Sequence, residues 1–254
     1  MSCLRTNNIS LYAGARWLCA ELNLHINPGD FWGVLGPNGS GKTTLLHTLA
    51  GLHAPQYGDV LLNDKPLTQL AAKHIAQSIG ILFQDLPPAF PLRVLDYCAM
   101  ARYPHLSAFT TESLEDKRMT QEALQAMELT ALQQRLLTSL SGGEKQRVYI
   151  AALLTQSPFI YLLDEPTNHL DIGYQAHVMH YFQRLAQQQR AIVASLHDIN
   201  LAQHYCNRIL LLFPDGSTCQ GTPAQVLNEA NLQRLYQCPV TRQGVMWSPY
   251  VMMR

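Results

Sequence analysis

The chain has 254 residues, of which 47% are Ala, Val, Ile, Leu, Met, Phe, Trp, Tyr or Cys and only 14% are charged. That composition supplies a sizeable core and excludes an extended disordered chain. Eighteen Lys and Arg balance eighteen Asp and Glu, so no whole-surface positive field is available for gripping nucleic acid.

The N-terminal MSCLRTNNIS has no apolar signal region, and no later run reaches ~18 uninterrupted apolar residues. The expectation is a chain that neither spans a membrane alone nor is secreted. Its charged fraction lies below the ~25% usual for soluble proteins, which suits a chain docked against another protein. The six cysteines (3, 19, 98, 206, 219 and 238) form no C-x-x-C pair and read as reduced and mostly buried.

In chain order, the first 30 or so residues and residues 57–70 predict short antiparallel strands, with turns at NPGD (27–30), YGD (57–59) and LND (62–64). FWGVL (31–35) is a short apolar run followed by a Gly-rich turn and a helical pattern, TTLLHTLAGL, that stops at Gly51. Further runs follow at IGILF (79–83), FIYLL (159–163), AIVASL (191–196) and RILLLF (208–213). All are unbroken rather than alternating, as central strands covered on both faces should be. Between Gln84 and Ser139 helical patterns at 94–103, 112–128 and 130–137 replace strands, and PPAFP (87–91) reads as a loop. The expectation is one α/β domain over 1–254, with a helical subdomain at about 85–145 inserted between strands of the main sheet.

Gly36-Pro37-Asn38-Gly39-Ser40-Gly41-Lys42-Thr43 is a complete G-x-x-x-x-G-K-[ST] between a strand and a helix, followed by Thr44. Glycines there let backbone N–H groups turn inward around phosphate oxygens, and the helix N-terminus favours the anion. Lys42 would reach the β- and γ-phosphates of a nucleotide, and the Thr43 hydroxyl would ligate Mg²⁺. The run Ile160-Tyr161-Leu162-Leu163-Asp164-Glu165 delivers carboxylates to the carboxyl end of a buried strand. Asp164 would hold Mg²⁺ through water, and Glu165 would polarise an attacking water. Together these predict a nucleoside triphosphatase.

Leu140-Ser141-Gly142-Gly143-Glu144, continuing as Lys145-Gln146-Arg147, resembles the signature sequence of ATP-binding cassette (ABC) proteins. The resemblance covers essentially the whole chain. It implies a P-loop cassette with a mixed core sheet, an antiparallel β subdomain and the inserted helices. It also implies that Ser141, Gly142, Gly143 and Glu144 face the γ-phosphate held by a second copy of the chain, so that two chains sandwich two ATPs. By the same resemblance, Gln84 ligates Mg²⁺ and senses a membrane subunit. Asp171, in Asn168-His169-Leu170-Asp171, meets the opposite subunit, and His197 contacts the γ-phosphate and orients the water. Tyr12 matches the aromatic that stacks on adenine, with Trp17 near enough to compete. His177 and His180 read as an exposed polar helix face.

A free-standing cassette of this length is similar to bacterial importer ATPases. The stretch DEPTNHLDIGYQ and the tail from HDINLAQHYCNRILLL to LQRLYQCPV resemble those serving ferric-siderophore, haem and cobalamin uptake. That implies a permease partner gripped by PPAFPLRVLDY, an extracytoplasmic substrate-binding protein acting indirectly, and residence at the cytoplasmic face of the bacterial inner membrane. Manganese/zinc or molybdate importers, exporters and soluble ABC ATPases remain as alternatives.

Overall fold

The computed structural model describes residues 3–14, 16–84, 91–106, 113–244 and 246–249. In chain order the elements are β1 (Leu4–Ala13), β2 (Arg16–Leu22), β3 (His25–Ile26), β4 (Phe31–Leu35), α1 (Lys42–Leu49), β5 (Tyr57–Leu62), β6 (Lys65–Pro66), α2 (Ala72–Ser78), β7 (Ile79–Leu82), α3 (Val94–Met100) and α4 (Leu114–Ala126). They continue as α5 (Gly142–Gln156), β8 (Ile160–Asp164), α6 (Ile172–Gln187), β9 (Ala191–Ser195), α7 (Ile199–Tyr205), β10 (Arg208–Leu212), β11 (Thr218–Gly221), α8 (Pro223–Val226), α9 (Glu229–Tyr236), β12 (Val240–Gln243) and β13 (Met246–Pro249). No helix among the described residues is long and apolar enough to cross a membrane.

The central sheet runs β11-β10-β4-β9-β8-β7. Strands β10, β4, β9, β8 and β7 are parallel, and β11 pairs antiparallel with β10. Its unbroken apolar runs feed two cores at once. Phe31 and Leu35 of β4, with Tyr161 and Leu163 of β8, point into a core shared with α3 to α6. Trp32, Val34, Ile160 and Leu162 point to the opposite face, against α1 and the N-terminal strands. Side chains alternate between faces along a strand, so a strand buried on both is largely apolar, with polar residues such as Asp164 and Ser195 at its carboxyl end. The second sheet, β2-β1-β5-β6 with β3 on β1, is antiparallel. Helix α1 ends where the sequence indicated: Leu52 N–H bonds His47 O at 2.9 Å and Gly51 N–H bonds Thr48 O at 3.0 Å, a closed C-terminal cap.

Two expectations are corrected. Residues 130–137 are not one helix. They form a 3₁₀ turn at Thr130–Leu132 and an extended stretch bridged at Arg93 and Leu136. Their carbonyls are used elsewhere: Val94 N–H bonds Arg135 O and Leu95 N–H bonds Gln133 O, both at 3.0 Å, supplying acceptors to the first turn of α3. Tyr57-Gly58-Asp59 is not a turn but the start of β5, facing a bulge between Asn7 and Ser10 of β1. Gly58 has φ 78°, and a Cβ there would stand 2.3 Å from Asn7 O, so no side chain fits. The NPGD and LND turns are present, with Asn63 and Asp64 at φ 51° and 66° between β5 and β6. Residues 85–90, most of the expected PPAFP loop, lie outside the described residues. All six cysteines are free, with Cys19, Cys98 and Cys206 buried and the others half-buried.

Candidate active site

The candidate residues gather at the carboxyl ends of the parallel strands: the phosphate loop after β4, Gln84 after β7, Asp164 and Glu165 at the end of β8, and His197 after β9. Asn38, Gly39, Gly41, Lys42, Thr43, Thr44, Gln84 and Glu165 line one cavity of about 290 Å³, closed on one side by Ala13 and Leu18.

The loop is tightly wound. A Cβ on Gly36 would lie 2.4 Å from Ser40 Oγ and 2.9 Å from Leu212 O, so the backbone passes where no side chain can. Lys42, 6% exposed, donates from Nζ to Gly36 O at 2.8 Å and Pro37 O at 3.2 Å. Burial pushes its ammonium below the ordinary value, while the Glu165 and Asp164 carboxylates pull it back. An ammonium carries three donors, so one direction remains for an incoming anion.

Behind the loop the acids are braced. Ser195 Oγ donates to Asp164 Oδ1 at 2.6 Å and accepts from Glu165 N–H at 2.8 Å. Sequence reasoning missed Ser195; its signal was a hydroxyl inside the otherwise apolar run of β9, next to the strand carrying the acids. Glu165 has φ 50°, a left-handed backbone uncommon outside glycine and retained where surroundings enforce it. Its Oε1 lies 2.6 Å from His197 Nε2, and its Oε2 accepts from Asn168 Nδ2. A single carboxylate is thus aimed by an imidazole and an amide at the edge of the cavity.

A hard divalent cation fits the remaining oxygens. Thr43 Oγ1 and Gln84 Oε1 are 3.5 Å apart, and Asp164 Oδ2 is buried with no hydrogen-bond partner. A carboxylate oxygen without a hydrogen-bond partner, together with hydroxyl and amide oxygens, is the kind of donor set that Mg²⁺ takes.

The signature residues and Asp171 do not line this cavity. Ser141 caps α5 in a reciprocal box: its N–H bonds Glu144 Oε2 at 2.7 Å and its Oγ accepts from Glu144 N–H. The Ser141 backbone N–H holds the Glu144 carboxyl below the usual carboxylate range. A Cβ on Gly143 would stand 3.0 Å from His169 O, so the signature packs against the 168–171 loop of its own chain. Asp171 caps α6, accepting from Tyr174 N–H at 2.9 Å. Tyr12 lies one residue before the cavity wall at Ala13, its ring centroid 3.7 Å from that of Trp17. The two aromatics that compete in the sequence are cross-strand partners in one stack. His177 is half-buried and corrects the reading of an exposed pair: its Nε2 lies 2.8 Å from Ala126 O at the end of α4, whereas His180 is exposed.

Fold and site together define a phosphate-loop ATPase of the cassette type, in which the buried Glu165 carboxylate lines the same cavity as the glycine-rich loop. The sequence profile of the ABC transporter family matches residues 19–168, and the chain belongs to that family, whose members bind and hydrolyse ATP. It is 34% identical to the ferric enterobactin transport ATP-binding protein FepC of Escherichia coli (strain K12), over 98% of this chain and 93% of that one. It is 35% identical to the hemin import ATP-binding protein HmuV of Hahella chejuensis (strain KCTC 2396), over 90% of each. Among solved structures, it resembles a chain of an inward-facing transporter assigned to the metal-chelate type (TM-score 0.83, 31% identity, 99% of this chain and 98% of that one). It also resembles a dimeric bacterial ABC transporter cassette (TM-score 0.76, 27% identity, 87% and 98%).

Proposed function

We propose that the chain is the ATP-hydrolysing subunit of a bacterial importer of iron complexes, ferric siderophore or haem, and that it works as a homodimer against a membrane permease. The observation that carries the ATPase reading is Glu165, held at the cavity edge by Ser195, His197 and Asn168. The iron-complex reading is supported by whole-length similarity to FepC and HmuV.

In this reading backbone N–H groups of Gly39 to Thr44 surround the phosphates, and Lys42 leaves the Gly36 and Pro37 carbonyls for the β- and γ-oxygens. Tyr12, backed by Trp17, stacks on the base. Thr43, Gln84 and Asp164 hold Mg²⁺, which supplies positive charge against the phosphate oxygens. Glu165 accepts a proton from the attacking water while His197 orients it. Ser141, Gly142 and Gly143 of a second copy close over the γ-phosphate, and Asp171 meets that copy. The signature helix N-terminus, exposed at Ser141 and Gly142 and not lining its own phosphate cavity, suits such use in trans.

For the permease, an apolar groove of about 370 Å³ lies between β7 and helices α3 and α5, lined by Phe83, Tyr97, Met100 and Tyr149 among others. It begins one residue before Gln84, so a segment seated there touches the proposed metal ligand's own loop. In the proposed assembly the chain sits at the cytoplasmic face of the bacterial inner membrane and is served indirectly by an extracytoplasmic substrate-binding protein, a reading supported by its similarity to importer ATP-binding proteins.

The test is uptake in a deletion strain supplied in trans with wild type, Lys42→Ala or Glu165→Gln. Loss of ferric-siderophore or haemin uptake, restored only by wild type, is expected. Intact iron-complex uptake, with loss instead of corrinoid, manganese, zinc or molybdate uptake, overturns the substrate class. No uptake defect of any kind overturns the importer reading.

A further inference from the structure

The strands β12 and β13 form a terminal hairpin outside the residues matched by the family profile, 19–168. Its residues carry no recognisable chemistry in the sequence, yet β13 is hydrogen-bonded to α7 and β12 packs on α9. Trp247, 7% exposed, donates its backbone N–H to Asn200 Oδ1 at 2.7 Å and accepts from Asn200 Nδ2 at 3.1 Å. Its indole Nε1–H donates to Gln203 Oε1 at 2.7 Å. Arg242 lies over the indole ring, 5.7 Å from its centroid. Val240, at the start of the hairpin, is buried in the core shared with α9.

Asn200 and Gln203 are on α7, which begins at Ile199, two residues after His197. Asp198 is its cap, accepting from Asn200 N–H at 2.7 Å and Leu201 N–H at 3.3 Å. His197 itself is exposed, its side chain 46% accessible, and Glu165 is its hydrogen-bond partner. A path of hydrogen bonds and chain therefore runs from the Trp247 backbone through Asn200 and the Asp198 cap to the adjacent His197, whose imidazole meets Glu165 of the cavity wall. Glu165 is buried and braced from three sides; His197 stands on the three-residue link between β9 and α7, exposed there together with Asp198 and preceded by the buried Leu196. The position of that imidazole depends on where the first turn of α7 sits, and the hairpin grips that turn.

We propose that the terminal hairpin is a strap for the His197 loop, with Asn200 and Trp247 as positioning residues for ATP hydrolysis. The proposal rests on the reading of His197 as the residue that orients the attacking water. Neither Asn200 nor Trp247 lines the phosphate cavity, so the strap acts on turnover and leaves nucleotide binding alone. A small displacement of a group that places the water is costly to rate, because the barrier depends on near-attack geometry.

The experiment is a double-mutant cycle on the purified full-length chain, reading kcat, KM for ATP and the affinity of a fluorescent ATP analogue. Asn200→Ala should lower kcat about tenfold with KM and analogue affinity within about twofold of wild type. Asn200→Asp keeps the acceptor for the Trp247 N–H and should retain more of kcat than Asn200→Ala. Because Asn200 works through the imidazole, Asn200→Ala should cost nothing further in a His197→Ala background. Trp247→Ala removes the buried ring and should repeat the pattern, serving in place of Asn200→Ala if that variant does not fold. An unchanged kcat in both, or a loss that multiplies in full with that of His197→Ala, overturns the strap while leaving the role of His197 intact. Normal turnover in His197→Ala overturns both.

Discussion

Ser195→Ala tests whether the two acids are held as described. The side chain is fully buried, and its single hydroxyl donates to Asp164 Oδ1 at 2.6 Å while accepting from Glu165 N–H at 2.8 Å. Removing it deletes a hydrogen bond to a charged group, about 1.5–3 kcal/mol, and strands a buried N–H, about 1–3 kcal/mol. The second cost is reduced if the backbone shifts toward another acceptor, so a net loss of about 3 kcal/mol is expected. For a chain of this size that lowers the melting temperature by about 6–12 °C. Asp164 suffers twice, because its Oδ2 already lacks a hydrogen-bond partner. The carboxylate should therefore turn more freely, and the Mg²⁺ concentration for half-maximal ATPase should rise. Calorimetry and an Mg²⁺ titration of turnover on the same preparation read both effects. A variant that melts within about 2 °C of wild type and keeps its Mg²⁺ dependence would refute the bridge.

Gly36→Ala puts a methyl 2.4 Å from Ser40 Oγ and 2.9 Å from the Leu212 carbonyl; affinity for a fluorescent ATP analogue should fall more than about tenfold, since the loop must open to relieve the clash. Unchanged affinity would show that the loop has room. Ser141→Arg should leave that affinity intact and abolish turnover, as measured by analogue titration and phosphate release; normal hydrolysis would show that the signature does not act in trans. Between α3 and α4 the Ser113 hydroxyl, then the Arg102 guanidinium, hold the Asp116 carboxyl at about 2. Its folded value lies below its unfolded one, so its stabilisation is present at pH above about 4 and is lost as pH falls toward 2. The melting temperature of wild type should drop over that window more steeply than that of Asp116→Asn; parallel curves would contradict the pairing.

Much of this molecule was legible in its sequence because local and tertiary signals agree. The runs at 31–35, 79–83, 159–163, 191–196 and 208–213 each hold a strand of the central sheet whose side chains are mostly apolar and buried on both faces, so the local pattern and the tertiary demand agree. The phosphate loop, Asp164, Glu165 and Gln84 converge because a parallel sheet brings strand ends together. The failures have physical causes. Residues 130–137 carry a helical pattern, but their carbonyls serve α3, a demand no local pattern records. Helix α2 at Ala72–Ser78 is seven residues with exposed Lys73 and His74, too short for its periodicity to stand out. The terminal hairpin was unreadable because α7 and α9, not its own residues, hold it. Ser195 looked like an ordinary strand serine; its importance comes from the register that sets β9 beside β8.

The claim that a carboxylate in one chain acts across from the signature of another is tested most directly by the mass of Glu165→Gln in solution. Glutamine keeps the size of the side chain and one acceptor but cannot take the proton, so hydrolysis should fall by about 10²–10⁴-fold while ATP still binds. Light scattering during gel filtration should then give twice the chain mass with ATP and Mg²⁺, and the single-chain mass with ADP. A variant that hydrolyses ATP at the wild-type rate, or stays a single chain in saturating ATP, would contradict both the role of Glu165 and the two-chain site.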